Sequence, residues 1–179
     1  MDVPPLRLAT LADEAAIDAL MKASIRDIFP RFYDPRQTES SVRYVGVSDR
    51  MLIEDGTYFV AEVDGQLVAC GGWSRRDKLY TGSEEASSDI RLLDPGREPA
   101  RVRAMFVRSD WTRRGLGRRI LEACEAAAKA EGFRTLSLMA TLPGVPFYET
   151  YGFRELGRTQ VTMPDGVPIE CAAMERPIT

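Results

Sequence analysis

The sequence predicts one α/β domain in which helices flank a mixed β-sheet. Strand-like and helical patterns alternate along the chain in the order β-α-α-β-β-(long loop)-β-α-β-α-β-β, which is typical of helices packed on a sheet. The chain has 179 residues, 44% of them hydrophobic and 28% charged, as in ordinary globular proteins. This length predicts a single domain spanning residues 1–179, with a loop insertion at about 74–99.

The N-terminal part predicts a short strand and two helical stretches. The segment LRLATLADEAAIDALMKAS begins with apolar–polar alternation and continues with helical spacing, with Thr10 as N-cap and Asp13 as its capping-box partner. The aromatic segment IRDIFPRFYDP follows and is interrupted by Pro30 and Pro35. The stretch TESSVRYVGVSDRMLIED then predicts the second helical element.

The middle of the chain predicts a β-hairpin followed by a long loop. In TYFVAEVDGQLVACGGW, two runs of β-forming residues flank Asp64 and Gly65, a tight-turn pair. Residues 74–99 lose all periodicity and are rich in turn formers. A loop of that length inside a compact domain is more often functional or disordered than a simple connector.

The C-terminal half predicts strands and helices that alternate. ARVRAMFV and RTLSLMA read as strands, and LGRRILEACEAAAKAEGF between them has one apolar face and a helix stop at Gly132. TLPGVPFYETYGF predicts a loop and a short helix that ends at Gly152. VPIECAAME predicts a last strand after a turn at residues 164–166.

The composition excludes several kinds of chemistry. The chain has no histidine, so a Ser-His-Asp triad, an imidazole base and a histidine-ligated metal are all excluded. Acid–base catalysis would have to use carboxylates, tyrosine, lysine, water or the backbone. The net charge of -3 argues against a dedicated nucleic-acid-binding protein, which usually carries a basic bias.

The cysteines and the absence of long apolar runs predict a cytoplasmic protein. No run approaches the roughly 20 apolar residues of a membrane helix, and MDVPPLRLAT lacks the pattern of a secretory signal. Cys70, Cys124 and Cys171 are far apart and form no C-x-x-C motif. Reduced, buried thiols are therefore expected, with no metal site and no membrane contact.

The segment RSDWTRRGLGRRI, residues 108–120, predicts an anion site at the start of a helix. Free backbone N–H groups at a helix N-terminus bind phosphate groups, and Gly115 and Gly117 would let a pyrophosphate approach the backbone. The pattern G-x-G-x-x-G is not completed, because Ile120 stands where the third glycine should be. A charged, solvated helix start remains the alternative for this segment taken alone.

Together with the downstream PFYETYGF, this segment resembles the GCN5-related N-acetyltransferase (GNAT) family. The family's phosphate motif, Gln/Arg-x-x-Gly-x-Gly/Ala, aligns with Thr112 to Gly117, and Thr112 departs from its first position. The family's aromatic-Tyr-x-x-x-Gly-Phe stretch aligns with Phe147 to Phe153. The motifs cover residues 104–153, and the predicted element order matches the family fold along nearly the whole chain.

The resemblance implies an acetyl-CoA-dependent N-acetyltransferase and assigns roles to particular residues. It implies that coenzyme A lies against the strand and helix start on both sides of the glycines. The implied cofactor-binding residues are Met105, Phe106, Val107, Arg113, Arg114, Gly115, Leu116, Gly117 and Arg118. It also implies that one amide of the strand polarises the thioester carbonyl, as in an oxyanion hole. Tyr148 would protonate the departing thiolate, whereas Tyr151 is expected to be a packing residue.

The acceptor and the general base are less defined. The implied reaction is direct attack of a primary amine of a small molecule, amino acid or peptide on acetyl-CoA. Phe29, Phe32 and Tyr33 are candidates for the wall of the amine site, with core packing as the alternative. Glu62 and Asp89 are candidate bases, although a solvated surface charge is the simpler interpretation of each.

Two other functions remain open from the sequence. The chain could be a non-catalytic acyl-CoA sensor or regulatory module with the same fold. It could also use its arginine cluster to bind nucleic acid, which its net charge disfavours. A homodimer is compatible with the sequence.

Overall fold

The computed structural model describes residues 2–78 and 90–179, which form a seven-stranded sheet with the order β1-β2-β3-β4-β5-β7-β6. Neighbouring strands are antiparallel except for β4 and β5, which are parallel. The strands are β1 (Leu6–Leu8), β2 (Tyr58–Val63), β3 (Gln66–Ser74), β4 (Ala100–Val107), β5 (Thr135–Thr141), β6 (Arg154–Thr162) and β7 (Pro168–Pro177). The helices are α1 (Glu14–Ile28), α2 (Pro35–Tyr44), α3 (Arg50–Glu54), α4 (Leu116–Ala130) and α5 (Val145–Tyr151). The predicted mixed α/β fold is confirmed.

The predicted second helical stretch is divided into two helices, α2 and α3. Each begins at an aspartate that caps it: Asp34 Oδ1 accepts a hydrogen bond from Gln37 N at 2.7 Å, and Asp49 Oδ1 accepts one from Leu52 N at 3.4 Å. The second cap starts a new helix, so the segment between residues 44 and 50 is a loop. Asp34 thus serves as an N-cap.

The hairpin of β2 and β3 has the predicted two-residue turn. Asp64 and Gly65 both have positive φ, at 50° and 76°. Two successive residues with positive φ match the right-handed twist of the flanking strands, which explains the preference for Asp-Gly at this position. The turn sets the register that pairs Val63 with Gln66.

The base of the predicted long loop is ordered on both sides. Leu93 N donates to Arg75 O at 2.8 Å, and Asp77 N donates to Arg91 O at 2.9 Å. The Arg91 guanidinium joins the two sides, because it contacts Asp77 at 3.0 Å and Glu98 at 2.7 Å. Residues 79–89, which include the candidate base Asp89, lie outside the described part of the chain.

The two faces of the sheet carry separate cores. On one face, α4 packs Leu116, Ile120, Leu121, Cys124 and Ala128 against β3 and β4. A Cβ at Gly71 would lie 2.8 Å from Cγ2 of Ile120, so this glycine permits the close approach of α4. The other face carries α1 and α3 around Tyr58 and Cys70.

The three cysteines are free and buried, as predicted. Two of them, Cys70 and Cys124, belong to the cores on opposite faces of the sheet, and Cys171 lies in a third cluster on β7. Burial raises the pKa of the Cys70 thiol to about 12, because a buried thiolate loses its hydration. None of the helices in the described ranges has the length and apolar character needed to cross a membrane.

Candidate active site

The site is built around an opening in the middle of the sheet. The parallel strands β4 and β5 pair only at Ala100 with Leu136 and at Arg101 with Ser137. Beyond these positions the two strands diverge. This divergence leaves main-chain groups of both strands unpaired by the sheet.

A bulge in β4 accompanies the opening. The register between β3 and β4 shifts between Cys70 and Gly72, and Ala104 has a φ of 58°, which is rare for a residue with a side chain. The Tyr58 hydroxyl, which comes from β2 on the far side of β3, donates a hydrogen bond to Ala104 O at 2.7 Å and holds this conformation. Strained backbone of this kind is concentrated at functional sites.

Past the bulge, the Val107 main chain faces the opening. Arg108 N donates to Val68 O at 2.8 Å, so Val68 and Arg108 form a hydrogen-bonded pair across β3 and β4. Val107 lies opposite Ala69, the next pair along the two strands. Because hydrogen-bonded and non-hydrogen-bonded pairs alternate in an antiparallel sheet, Val107 directs its N–H and C=O away from β3. The Ser24 hydroxyl contacts Val107 O from outside the sheet at 3.4 Å, in agreement with that direction.

A cavity of about 690 Å³ occupies the opening. At one end it reaches the N-terminus of α4, and at the other it reaches α1, β6 and β7. We call the first the cofactor end and the second the acceptor end. The cofactor end is lined by Met105, Val107, Thr112, Arg113, Gly115, Leu116, Gly117, Arg118, Pro143, Gly144, Pro146, Phe147, Tyr148 and Thr150. The acceptor end is lined by Ile28, Phe29, Val45, Phe106, Met139, Val161, Met163, Ile169 and Cys171.

The start of α4 presents free amides at the cofactor end. Gly115 is the N-cap, and the first hydrogen bond of this turn runs from Arg119 N to Gly115 O at 3.0 Å. The amides of Leu116, Gly117 and Arg118 therefore have no partner within the helix. Together with the positive end of the helix dipole, they form an anion site.

The two glycines differ in what surrounds them. Gly115 has a φ of 85° and open space around its Cα, so glycine is needed there for backbone conformation. Gly117 lies against Phe147, where a Cβ would approach Cζ of the ring to 2.9 Å. The second glycine thus allows α4 to contact α5, whose residues line the same cavity.

The predicted cofactor residues all line the cavity except Arg114. The Arg114 guanidinium lies 4.6 Å from the centroid of the Trp111 ring, a cation–π geometry. Arg118 lines the cavity and also contacts Glu122 at 3.0 Å, a helical i,i+4 pair. Arg119 donates to Val3 O at 3.2 Å and Pro4 O at 3.0 Å, so it secures the N-terminal segment.

Tyr148 lies between the cofactor end and the core. Its ring packs against Phe147, at 5.2 Å between centroids, and against Phe153, at 5.6 Å. Burial raises the pKa of its phenol well above the ordinary value, so the group stays protonated at any physiological pH. No hydrogen bond to the phenol is found among residues 2–78 and 90–179, and the residue lines the cavity. A protonated donor is thereby held beside the opening.

Tyr151, the alternative tyrosine, belongs to a structural network. Its hydroxyl donates to Glu125 Oε2 at 2.7 Å, and Oε1 of the same carboxylate contacts Arg176 at 2.5 Å. The Arg176 guanidinium also lies 4.7 Å from the centroid of the Tyr151 ring. These contacts join α4, α5 and β7, in agreement with the packing role expected for Tyr151.

The three aromatic candidates for the acceptor wall are separated by the structure. Phe29 is buried and lines the acceptor end. Phe32 is exposed, and the Tyr33 hydroxyl donates to Glu170 O at 2.7 Å and accepts from Leu142 N at 2.9 Å. Only Phe29 is therefore placed to contact an acceptor.

Glu62, the candidate base within the described ranges, does not line the cavity. Glu62 pairs with Arg7 at 2.9 Å on the outer part of the sheet. Asp27 accepts a hydrogen bond from the Ser109 hydroxyl at 2.9 Å. Within the described ranges, no group of three or more metal-ligating side chains could hold an ion.

Sequence reasoning missed the contribution of β6 and β7 to the acceptor end. Val161, Met163 and Ile169 line the cavity, but the segments that carry them have no motif. The signals were few: Val161 is the one buried residue of the otherwise polar strand β6, and Ile169 belongs to the predicted last strand. Their role depends on the register of β7 against β5.

A sequence profile described as the acetyltransferase (GNAT) domain matches residues 54–155. This range includes β2 to β5, the start of α4 and all of α5, and it contains both motifs. The chain belongs to the GNAT acetyltransferase family. No curated protein sequence matches the chain significantly.

Solved structures of the same fold cover nearly the whole chain. A GCN5-related N-acetyltransferase from Rhodopseudomonas palustris is 20% identical with a TM-score of 0.72, over 99% of this chain and 97% of the other. The PaiA N-acetyltransferase from Thermoplasma acidophilum, in complex with coenzyme A, is 14% identical with a TM-score of 0.64 over 99% of each chain. The yncA protein from Salmonella typhimurium, with acetyl-CoA, is 16% identical with a TM-score of 0.62, over 99% of this chain and 95% of the other.

Proposed function

We propose that the protein is an N-acetyltransferase that transfers the acetyl group of acetyl-CoA to a primary amine of a small molecule, amino acid or peptide. The proposal rests on one observation, which is that the opening in the sheet and the start of α4 line the same cavity. The splayed strands β4 and β5 open directly onto the N-terminus of α4. Similar structures hold coenzyme A or acetyl-CoA, which supports the same cosubstrate here.

The residues present fit coenzyme A. The amides of Leu116, Gly117 and Arg118 would bind the pyrophosphate, and Arg113 and Arg118 would add positive charge around it. The edge of β4 facing the opening would pair with the amide-containing arm, as an added strand does. Arg114, stacked on Trp111, would act on the anion from a greater distance.

Acetyl-CoA supplies the acetyl group as an activated thioester. The Val107 N–H faces the opening and would donate to the thioester carbonyl as negative charge develops on its oxygen. The Tyr148 phenol would donate its proton to the departing thiolate. Because a buried phenolate is unfavourable, the phenol would regain a proton from the attacking nitrogen in the same event.

Direct attack by the amine fits the cavity better than a covalent acyl-enzyme. The only thiol lining the cavity within the described ranges is that of Cys171, and burial raises its pKa to about 12. A thiol with that pKa is almost entirely protonated at neutral pH and is a poor nucleophile. Transfer would therefore take place in one step, with both substrates bound.

The arginines of residues 108–120 support a small anion more than a nucleic acid. Arg108 pairs with Asp110 at 2.6 Å, and Arg118 pairs with Glu122 at 3.0 Å. Arg119 is occupied by main-chain carbonyls of the N-terminal segment. These contacts reduce the positive charge available for an extended phosphate backbone.

A non-catalytic acyl-CoA sensor is the second candidate. One observation favours it: within the described ranges, no Asp, Glu or Lys lines the cavity, and the whole sequence has no histidine. An enzyme of this kind would need an amine that arrives without its proton, whereas a sensor needs no base.

Calorimetry with coenzyme A and a thiol-release assay with acetyl-CoA test the two candidates together. The enzyme predicts saturable coenzyme A binding and amine-dependent thiol release across a panel of aromatic amines, aliphatic amines, amino acids and peptides. Binding without thiol release for any amine would favour the sensor. Absence of binding would contradict both.

A further inference from the structure

Most of the side chains that line the acceptor end are apolar, and Ser24 of α1 also lines the cavity, with its hydroxyl 3.4 Å from Val107 O. The wall consists of Phe29, Val45, Met139, Val161, Met163 and Ile169, which come from the turn after α1, the loop before α3, β5, β6, the turn after β6 and β7. Four of them belong to one hydrophobic cluster, and Val45 and Met139 pack against it. An acceptor bound there must exchange water for hydrocarbon, which favours an apolar substrate.

The ionisable side chains that line the cavity within the described ranges are neutral or positive. Burial and then the nearby Glu170 carboxylate raise the pKa of the Cys171 thiol, but Glu170 itself does not line the cavity. Within the described ranges, the cavity-lining groups that can ionise are Arg103, Arg113, Arg118, Tyr148 and Cys171, and none of these is acidic at neutral pH. Burial raises the pKa of the Cys171 thiol to about 12 and also raises the pKa of the Tyr148 phenol above its ordinary value, so both are neutral. Arg103 is paired with Asp49 at 2.9 Å, and both side chains are almost fully buried.

An ammonium group is poorly suited to this environment. It would leave its hydration shell for an apolar wall without an opposite charge, and it would face the guanidinium groups at the cofactor end. It would also need to lose a proton before attack, at a site without a described carboxylate, lysine or histidine. A nitrogen that is neutral at pH 7 avoids both difficulties.

We infer that the preferred acceptor is a weakly basic aromatic amine of the aniline class. This inference rests on the proposed acetyl transfer and adds the class of acceptor. The aromatic ring supplies the apolar surface that the acceptor wall requires, and it also makes the nitrogen weakly basic. Protonated aliphatic amines and polyamines are excluded by the same wall.

The reaction balances without an added base or acid. The nitrogen lone pair forms the N–C bond to the acetyl carbon, and the C–S bond breaks with its electron pair on sulfur. The proton lost by nitrogen reaches sulfur through the Tyr148 phenol. The products are the N-aryl acetamide and the free thiol of coenzyme A.

Aniline and cyclohexylamine form a matched pair for the test, because their rings are of similar size and their nitrogens differ in basicity. Thiol release with acetyl-CoA would be measured for both amines and for spermidine between pH 7 and pH 9. At pH 7 we expect kcat/KM to be at least about tenfold higher for aniline than for cyclohexylamine. With rising pH, the aniline rate should stay level, whereas the cyclohexylamine rate should rise about tenfold per unit with its neutral fraction.

The outcomes separate the inference from the proposed function. Faster reaction with spermidine or cyclohexylamine at pH 7 would overturn the aromatic-amine inference and leave acetyl transfer intact. Coenzyme A binding by calorimetry, without thiol release for any amine, would overturn acetyl transfer itself. Thiol release confined to peptides or amino acids would again contradict only the inference.

A substitution in the acceptor wall provides a second test. Met139→Glu places a carboxylate beside the acceptor, where it can pair with an ammonium group and accept its proton. We expect the preference for aniline over cyclohexylamine to fall at least about tenfold. Met139→Leu keeps the wall apolar and should keep the preference. An unchanged preference in a folded Met139→Glu variant would contradict the proposed role of the wall.

Discussion

The cofactor end and the acceptor end of the cavity are built in opposite ways. The cofactor end uses main-chain groups of β4 and of the first turn of α4, which are adjacent in sequence. The acceptor end uses side chains that come from α1 at one extreme of the chain and β7 at the other. Main-chain recognition depends on conformation more than on side-chain identity, which suits a cosubstrate shared by a whole family. Side-chain recognition can change with a few substitutions, which suits an acceptor that differs among family members.

The largest expected effect is at the cofactor end, at Gly115. Gly115→Glu would place a negative charge in the open space beside the free amides, where it opposes the pyrophosphate. A like-charge contact costs several kcal/mol, so we expect coenzyme A affinity to fall about 1,000-fold. Calorimetry measures this directly.

The control for Gly115→Glu is Gly115→Asn. Asparagine tolerates positive φ better than most residues and adds no charge. It should retain most of the coenzyme A affinity, which would show that charge and not backbone strain causes the loss. Equal losses in the two variants would assign the effect to conformation, and full affinity in the glutamate variant would remove the anion site from this helix start.

The next largest effect is at Tyr148, between the two ends. Tyr148→Phe removes the proton donor and keeps the ring that packs on Phe147 and Phe153. We expect kcat to fall about 100-fold, within the usual range for loss of a general acid, with little change in coenzyme A affinity. Steady-state kinetics and calorimetry on the same protein separate these quantities.

Tyr151→Phe is the matched control on the same helix. It removes the hydrogen bond to Glu125 and is expected to lower the free energy of unfolding by about 1–3 kcal/mol, with little effect on kcat. Denaturant unfolding measures the loss. If Tyr151→Phe reduced kcat as much as Tyr148→Phe, the assignment of the acid to Tyr148 would be wrong.

The smallest expected effect is at Cys171, at the acceptor end. Direct attack requires no thiol, so Cys171→Ala should keep kcat within about threefold of the parent, with a modest loss of stability from the missing sulfur. Cys70→Ala, which removes a buried thiol that does not line the cavity, is the control. A loss of activity confined to Cys171→Ala, together with an acetylated protein trapped before amine is added, would indicate a covalent route.

Much of the fold could be predicted because its signals are local. The turn at Asp64 and Gly65, the apolar face of α4 and the stop at Gly132 each depend on a few consecutive residues, and the structure confirms all three. The division of the second helical stretch was missed, although Gly46 and the cap at Asp49 lie inside it and disfavour one continuous helix. The contact of Gly117 with Phe147 was not predicted, since it joins residues far apart in sequence.

The sequence by itself determined the family, the element order and the helix start beside Gly115. These depend on glycines, helix starts and strand ends, whose physics acts over a few residues. Only the tertiary structure decided which side chains form the acceptor wall. Phe29 and Ile169 meet there because of how the turn after α1 packs and how β7 pairs with β5, which are contacts between residues far apart in sequence.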